Sequence, residues 1–146
     1  ERTISIADWY ADYYETTINE DEIVTELLVP VQPTDMGWTY IKYLPRTEDD
    51  YATVSVAALG KADGGKISEV RVGLGAVGAT ALRASDLEAA LVGADANHDV
   101  LKDASQSVAG IVDPTSDPRG SADYKRDLVK ALVPRAAREA LERVIG

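Results

Sequence analysis

Gly73-Leu74-Gly75-Ala76-Val77-Gly78 spells G-x-G-x-x-G directly behind the apolar run Glu69-Val70-Arg71-Val72. In a dinucleotide site such glycines turn a parallel strand into a helix whose first N–H groups hold a pyrophosphate. The surroundings argue against that chemistry. The strand before the glycines reads as the second arm of a hairpin, hence antiparallel. The next helix-start signal, Ser85, comes seven residues after Gly78. About 20 residues past the first glycine, where such a site wants an acidic strand end, the chain reads GADANHD, a helix boundary. Gly73, Gly75 and Gly78 are therefore expected to let a sheet strand bend and pack closely on its neighbour.

Lys42 is the second chemically suggestive residue, a lone lysine in the aromatic extended stretch WTYIKYL. Its spacing favours a snorkelling stem with the ammonium in water. The alternative is a compact cation set beside a ring or an anionic cofactor atom. His98, the only histidine, has no cysteine, serine or second histidine at ligand or triad spacing, and is expected at a helix start facing water. The acidic runs Asn19-Glu20-Asp21-Glu22 and Glu48-Asp49-Asp50 read as solvated loops, because neither has the ligand spacing of a hard-cation site. Ser105, Ser107 and Ser116 lie in no G-x-S-x-G elbow.

Composition narrows the classes further. With no cysteine and one histidine, these 146 residues can ligate no iron–sulfur cluster and no multi-histidine metal. Redox chemistry would need an organic cofactor or a partner chain. The net charge of −10 opposes nonspecific binding to nucleic acid or acidic membranes. No apolar run approaches the roughly 20 residues of a membrane span, and the N-terminus lacks a secretory pattern, so a cytoplasmic setting is expected. Charge is uneven: residues 1–50 carry 3 basic and 12 acidic side chains, residues 119–146 carry 7 and 4.

The elements that must hold these residues follow from periodicity. Ser5 is placed to cap a helix through IADWYADYY, with Ile6, Trp9, Tyr10 and Tyr13 on one side. Ile23–Val29 reads as a strand stopped by Pro30, and Trp38–Leu44 as another closed by Pro45. Residues 52–60 alternate Val54, Val56 and Ala58 against Thr53, Ser55 and Ala57. Residues 67–74 alternate Val70, Val72 and Leu74 against Glu69 and Arg71. Asp63-Gly64 between them is a strong hairpin signal. Ser85-Asp86-Leu87-Glu88 fits a capping box opening a helix that stops at Gly93. A second helix follows through residues 98–112. A last one starts near Ser121, with Leu128, Leu132, Ala136, Ala140 and Val144 in a stripe and a kink or break expected near Val133 because Pro134 lacks an N–H. Strands first and helices after predict an α+β fold of one domain, a three- to four-stranded antiparallel sheet over about residues 1–78 and a three-helix bundle packed beside it over about 84–146.

Four blocks in register, YYETTINEDEIVTELLVP, IKYLPRTEDDYATVSVAA, VRVGLGAVGATALRASDLEAAL and RGSADYKRDLVKALVPRAA, make the whole chain resemble one particular domain. It is the C-terminal domain of the FAD-binding, or medium, subunit of molybdenum hydroxylases, the carbon monoxide dehydrogenase and xanthine dehydrogenase family. The resemblance implies that this domain covers a flavin held by an upstream FAD-binding region of the same subunit, and that the strand at Ile23-Val24 and Lys42 approach the flavin, the lysine near the isoalloxazine ring. It also implies a subunit passing electrons from a partner's iron–sulfur clusters to an acceptor, with molybdopterin in another partner chain. The glycine-rich loops that grip FAD phosphates in that family are not among these residues, so weak or no FAD retention by this chain alone is expected. The alternative reading is a freestanding interaction or scaffold domain without cofactor, for which the acidic N-terminal half and basic last helix would suit.

Overall fold

A computed structural model of the chain describes residues 1–44 and 51–145. Pro45 and the run Glu48–Asp50 lie outside the described residues, as do the side chain of Val144 and all of Gly146. The chain divides into two compact units, Glu1–Gln32 and Pro33–Gly146.

In the smaller unit the expected first helix does not form. Ser5 does act as a cap, its hydroxyl accepting the Ala7 N–H at 3.3 Å, but it opens only a single 3-10 turn, Ile6–Asp8. Strands β1 (Tyr10–Asp12) and β2 (Glu15–Thr16) then pair as an antiparallel ribbon. A helix of about nine residues is marginal unless a core receives its apolar stripe, and Ile6, Tyr10 and Tyr13 are all exposed. Local polar groups favour the turn instead. The Asp12 carboxylate accepts the Tyr13 N–H at 2.7 Å, and Tyr14 takes the left-handed φ of 56° that the reversal requires.

The unit is closed by Arg2, which donates Nε and Nη2 to the Glu22 carboxylate at 2.8 and 2.7 Å and Nη2 also to the Thr17 carbonyl at 2.8 Å. Glu22 of the NEDE run is thus a clasp rather than a solvated acid. The Arg2 hydrogen bonds, helped by the Asn19 N–H, hold its carboxyl down at about 2. The strand expected over Ile23–Val29 is absent, because β structure needs a ladder partner and no residue of this segment joins a helix or strand.

The larger unit contains the four-stranded sheet, in order β3 (Gly37–Tyr43), β4 (Val54–Asp63), β5 (Lys66–Gly75) and β6 (Leu82–Arg83), antiparallel throughout. The expected hairpin forms between β4 and β5. Gly64 and Gly65 occupy its tip at φ 56° and 79°, where only glycine is unstrained. Helices α1 (Ser85–Leu91), α2 (His98–Ala104) and α3 (Ala122–Ile145) complete the unit. The fold is the expected α+β.

Alternation decides the layers. Val54, Val56 and Ala58 of β4 and Val70, Val72 and Leu74 of β5 form the buried face, sharing one core with Val129, Val133, Ala136, Ala137, Ala140 and Leu141 of α3. Small residues let α3 approach the strands closely. At Gly60 an added Cβ would lie 2.9 Å from the Leu141 Cδ2. Thr53, expected on the outer side, is fully buried just ahead of β4.

Three expectations about the helices need correction. The second helix is shorter, continuing after Ala104 as a 3-10 turn over Ser105–Gly110. The last helix runs through Pro134 without a break. Pro134 is itself buried, and the core residues on both sides of it outweigh a lost hydrogen bond and clash of about 3 kcal/mol.

The capping box also fails. The N-cap is Ala84, with no side-chain cap, and Ser85 lies inside the helix. The Glu88 carboxylate is drawn away to the sheet, where it accepts the Val72 N–H at 2.8 Å and Arg83 at 2.8 to 3.1 Å. Strand β6 is two residues long, so Val72 has an N–H that the ladder does not use, and Glu88 satisfies it. Gly93 does stop α1, at φ 83° and with its N–H on the Ile67 carbonyl at 2.8 Å.

Burial opposes charge on Glu88, but the hydrogen bonds from Arg83 and Val72 outweigh it and hold the carboxyl below its ordinary 4.5. A depressed carboxyl contributes stability above the unfolded-state value and loses it as pH falls through the folded-state value. We therefore expect Glu88→Ala, which leaves the Val72 N–H buried and unpaired, to cost about 1–3 kcal/mol at neutral pH. The penalty should shrink below pH 4.5, as read by urea unfolding at both pH values.

Candidate functional site

Along β3 the residues alternate between the helix-covered face and the open one. Thr39, Ile41 and Tyr43 turn inward, while Trp38, Tyr40 and Lys42 are exposed on the other side. The register continues their rows across the sheet. Lys42 stands opposite Ser55, which stands opposite Gly75, and Tyr40 stands opposite Ala57, which stands opposite Gly73.

The open face beside the lysine is therefore a strip of small residues, Ser55, Ala57, Gly73 and Gly75. An added Cβ would lie 2.5 Å from the Ser55 hydroxyl at Gly75 and 4.0 Å from the Ala57 methyl at Gly73. The glycines of the G-x-G-x-x-G run thus keep the sheet face low. Gly75 is crowded by its neighbour, and at Gly78 a Cβ would come within 3.2 Å of Leu82. Strand β5 runs antiparallel to both neighbours and α1 begins ten residues after Gly75, so no βαβ phosphate turn exists here.

Helix α3 fixes the outer strand that carries Lys42. Thr39 donates to the Glu139 carboxylate at 3.0 Å, and Arg135 donates to the same carboxylate at 2.9 Å. The Arg135 hydrogen bond, against the cost of burial and with help from Thr39, holds the Glu139 carboxyl below its ordinary value. Arg143 donates to the Trp38 carbonyl and lies 5.5 Å from the centroid of the Trp38 ring. At the other end of the strand, the Tyr43 and Tyr124 hydroxyls meet at 3.0 Å, which pushes the Tyr124 phenol up.

The RGSADYK block builds the start of α3. Gly120, at φ 155°, leaves room for the Tyr124 ring, which an added Cβ would approach to 2.6 Å. Ser121 accepts the Tyr124 N–H at 3.2 Å. Lys125, buried, donates to the Thr115 carbonyl and the Asp117 carboxylate, both at 2.8 Å. The Lys125 hydrogen bond keeps Asp117 below its ordinary value despite burial.

Of the residues singled out by sequence, Lys42 is an exposed residue of β3. Val24 lies in the smaller unit, exposed and outside any strand. His98 is the exposed first residue of α2. Sequence reasoning missed Tyr40, Ser55 and Ala57 as neighbours of Lys42, although their alternation with buried residues was legible. What aligns them is strand register, which no single segment encodes.

Chemically the strip offers a flat face, a hydroxyl and a cation. Among the described residues no group of three acidic, histidine or cysteine side chains is arranged to hold a metal, and no helix is long and apolar enough to cross a membrane. Fold and site together define an α+β domain whose sheet packs α3 on one face and carries Trp38, Tyr40 and Lys42 on the other.

Comparison with known proteins identifies it. Residues 39–140 match the CO dehydrogenase flavoprotein C-terminal domain. The chain belongs to that family. It is 34% identical over 138 residues, 94% of its length, to 48% of the glyceraldehyde dehydrogenase medium chain of Sulfolobus acidocaldarius. Carbon monoxide dehydrogenase from Hydrogenophaga pseudoflava, solved without the Mo-pyranopterin moiety of its molybdenum cofactor, superposes with a TM-score of 0.85 at 35% identity. The match covers 92% of this chain and 46% of that one. Quinoline 2-oxidoreductase from Pseudomonas putida 86 superposes with a TM-score of 0.91 at 28% identity, over 99% of this chain and 50% of that one. The chain thus spans about half the length of the relatives it matches.

Replacing Lys125 by Met should loosen the 113–121 loop. We expect a stability loss of about 1–3 kcal/mol and faster amide exchange confined to that loop, with the β4–β5 hairpin unchanged.

Proposed function

We propose that both units together act as the C-terminal domain of the FAD-binding subunit of a molybdenum-hydroxylase-type oxidoreductase. In this reading the sheet face carrying Lys42 closes over the flavin, and Val24 also approaches it. The upstream FAD-binding region of the same subunit grips the phosphates. The subunit works in the cytoplasm, passing electrons from the clusters of an iron–sulfur subunit to an external acceptor, while a molybdopterin subunit carries the substrate chemistry.

The observation that carries the reading is the placement of Lys42. Within a chain of this family, the lysine stands on the sheet face opposite α3, beside a strip of the small residues Ser55, Ala57, Gly73 and Gly75. That strip fits a planar ring, because Gly73 and Gly75 leave it low where a Cβ would raise it. Ser55 adds a hydroxyl in the lysine's own row. When bound, FAD supplies the electron-carrying group that accepts and releases reducing equivalents.

The contribution of this chain is electrostatic and steric. The Lys42 ammonium favours negative charge on the ring edge it faces. Tyr40 and Trp38 on the same strand, with the Trp38 backbone held by Arg143, keep that cation on a rigid support. The small residues permit close approach and exclude water beneath the ring.

In the complete subunit, Lys42→Met should lower the two-electron flavin potential by on the order of 30 mV, the equivalent of about 1.4 kcal/mol, or weaken FAD binding about tenfold. Spectroelectrochemical titration and flavin-release measurements read these effects, and unchanged values for both overturn the assignment of Lys42.

A further inference from the structure

Strand β4 brings a hydroxyl to the face opposite α3. Val54 and Val56 enter the core, so the alternation of the strand puts Ser55 on the other side. Its direct partners are Lys42 of β3 and Gly75 of β5. Opposed side chains of neighbouring antiparallel strands start roughly 5 Å apart at Cβ. The lysine stem and the serine hydroxyl therefore rise side by side from one row.

The third member of that row has no side chain. A Cβ at Gly75 would lie 2.5 Å from the Ser55 Oγ, too close for a methyl, yet 3.8 Å from the Ser55 Cβ, an ordinary contact. The hydroxyl thus leans over the Gly75 backbone, into the place a side chain there would take. Ser55 is half-buried, and among the described residues its Oγ has no hydrogen-bond partner. A hydroxyl so placed, beside a cation and without a protein acceptor, is a donor directed at whatever covers the row.

We propose that Ser55 is a second donor to the flavin, hydrogen-bonding the carbonyl edge of the isoalloxazine that the Lys42 ammonium faces, and that Gly75 is glycine so that this hydroxyl can stand there. This deepens the reading under Proposed function and rests on its placement of the ring on this strip. The two donors differ in kind. Lysine supplies a point charge on a flexible four-carbon stem, whereas serine has a single side-chain torsion to its oxygen and supplies direction. Flavin electronics respond to charge near N1, beside the C2 carbonyl, and hydrogen bonds to an ionised acceptor are roughly twice as strong as neutral ones. Ser55 therefore favours the reduced, negatively charged ring, in the same sense as Lys42. The next row along the strands has Ala57 and Gly73 as its inner members, neither of which carries a side-chain donor. The polar edge of the ring accordingly belongs over the row of Lys42 and Ser55, and its apolar remainder over Ala57 and Gly73.

The test is infrared difference spectroscopy of the complete subunit loaded with FAD that carries heavy carbon at C2 or at C4. Ser55→Ala should move the C2 carbonyl band to higher wavenumber, because a carbonyl stiffens when it loses a donor, and should leave the C4 band in place. FAD retention should fall about three- to tenfold. Ser55→Thr, which keeps the hydroxyl, should hold the C2 band where it was, and Gly75→Ala, whose methyl displaces the hydroxyl, should reproduce the Ser55→Ala spectrum. An unmoved C2 band in Ser55→Ala, or a C4 band that moves in its place, overturns the proposal. The reading beneath it stands or falls separately: an effect of Lys42→Met on the flavin alongside an unmoved C2 band in Ser55→Ala removes the assignment of Ser55 alone.

Discussion

The larger unit depends on the contact between α3 and the inner face of β3 and β4. It buries the alternating valines of the sheet against a helix stripe rich in alanine, and Gly60 admits Leu141 where any side chain would stand in the way. Each Å² of apolar surface this shared core removes from water contributes roughly 25 cal/mol. Its consequences reach the open face. Because α3 occupies one side of the sheet, the period-two alternation sends Trp38, Tyr40 and Lys42 to the other. Because Thr39 and Trp38 are tied to Glu139 and Arg143, the outer strand is held to the helix as well as to β4.

The same contact accounts for two departures from local rules. Pro134 should interrupt a helix, and an isolated peptide of this sequence would be expected to bend there. In the folded chain, packing on both sides of the proline decides in favour of continuity. Glu88 should complete a capping box with Ser85, a pattern worth about a kilocalorie per mole in an exposed helix. It serves the sheet instead, because an unpaired Val72 N–H in the interior costs more than an unfilled cap.

The two units embody different degrees of completeness. In the larger, hydrophobic alternation, turn chemistry and helix stripes agree, and each element finds its partner within the same residues. In the smaller, the clasp of Arg2 on Glu22 and a short ribbon order the backbone, while the most strand-like segment has no ladder. A chain that covers half the length of its relatives can contain such a segment without contradiction.

The sequence by itself determined the α+β class, the alternating core of β4 and β5, the hairpin at Gly64 and the stop at Gly93. These follow from side-chain periodicity and from the φ that only glycine adopts freely, both properties of short stretches. It also singled out Lys42 and, through four blocks in order, the family. It misjudged the stretch after Ser5, where a helical stripe without a core became a ribbon, and it assigned a strand at Ile23 whose pairing needs a second strand. Which residues stand beside Lys42, and that Gly73 and Gly75 lower a sheet face rather than cradle a phosphate, was decided only by tertiary structure. Strand register and the side chosen by a helix are relations between distant segments, and neither exists until the chain has folded.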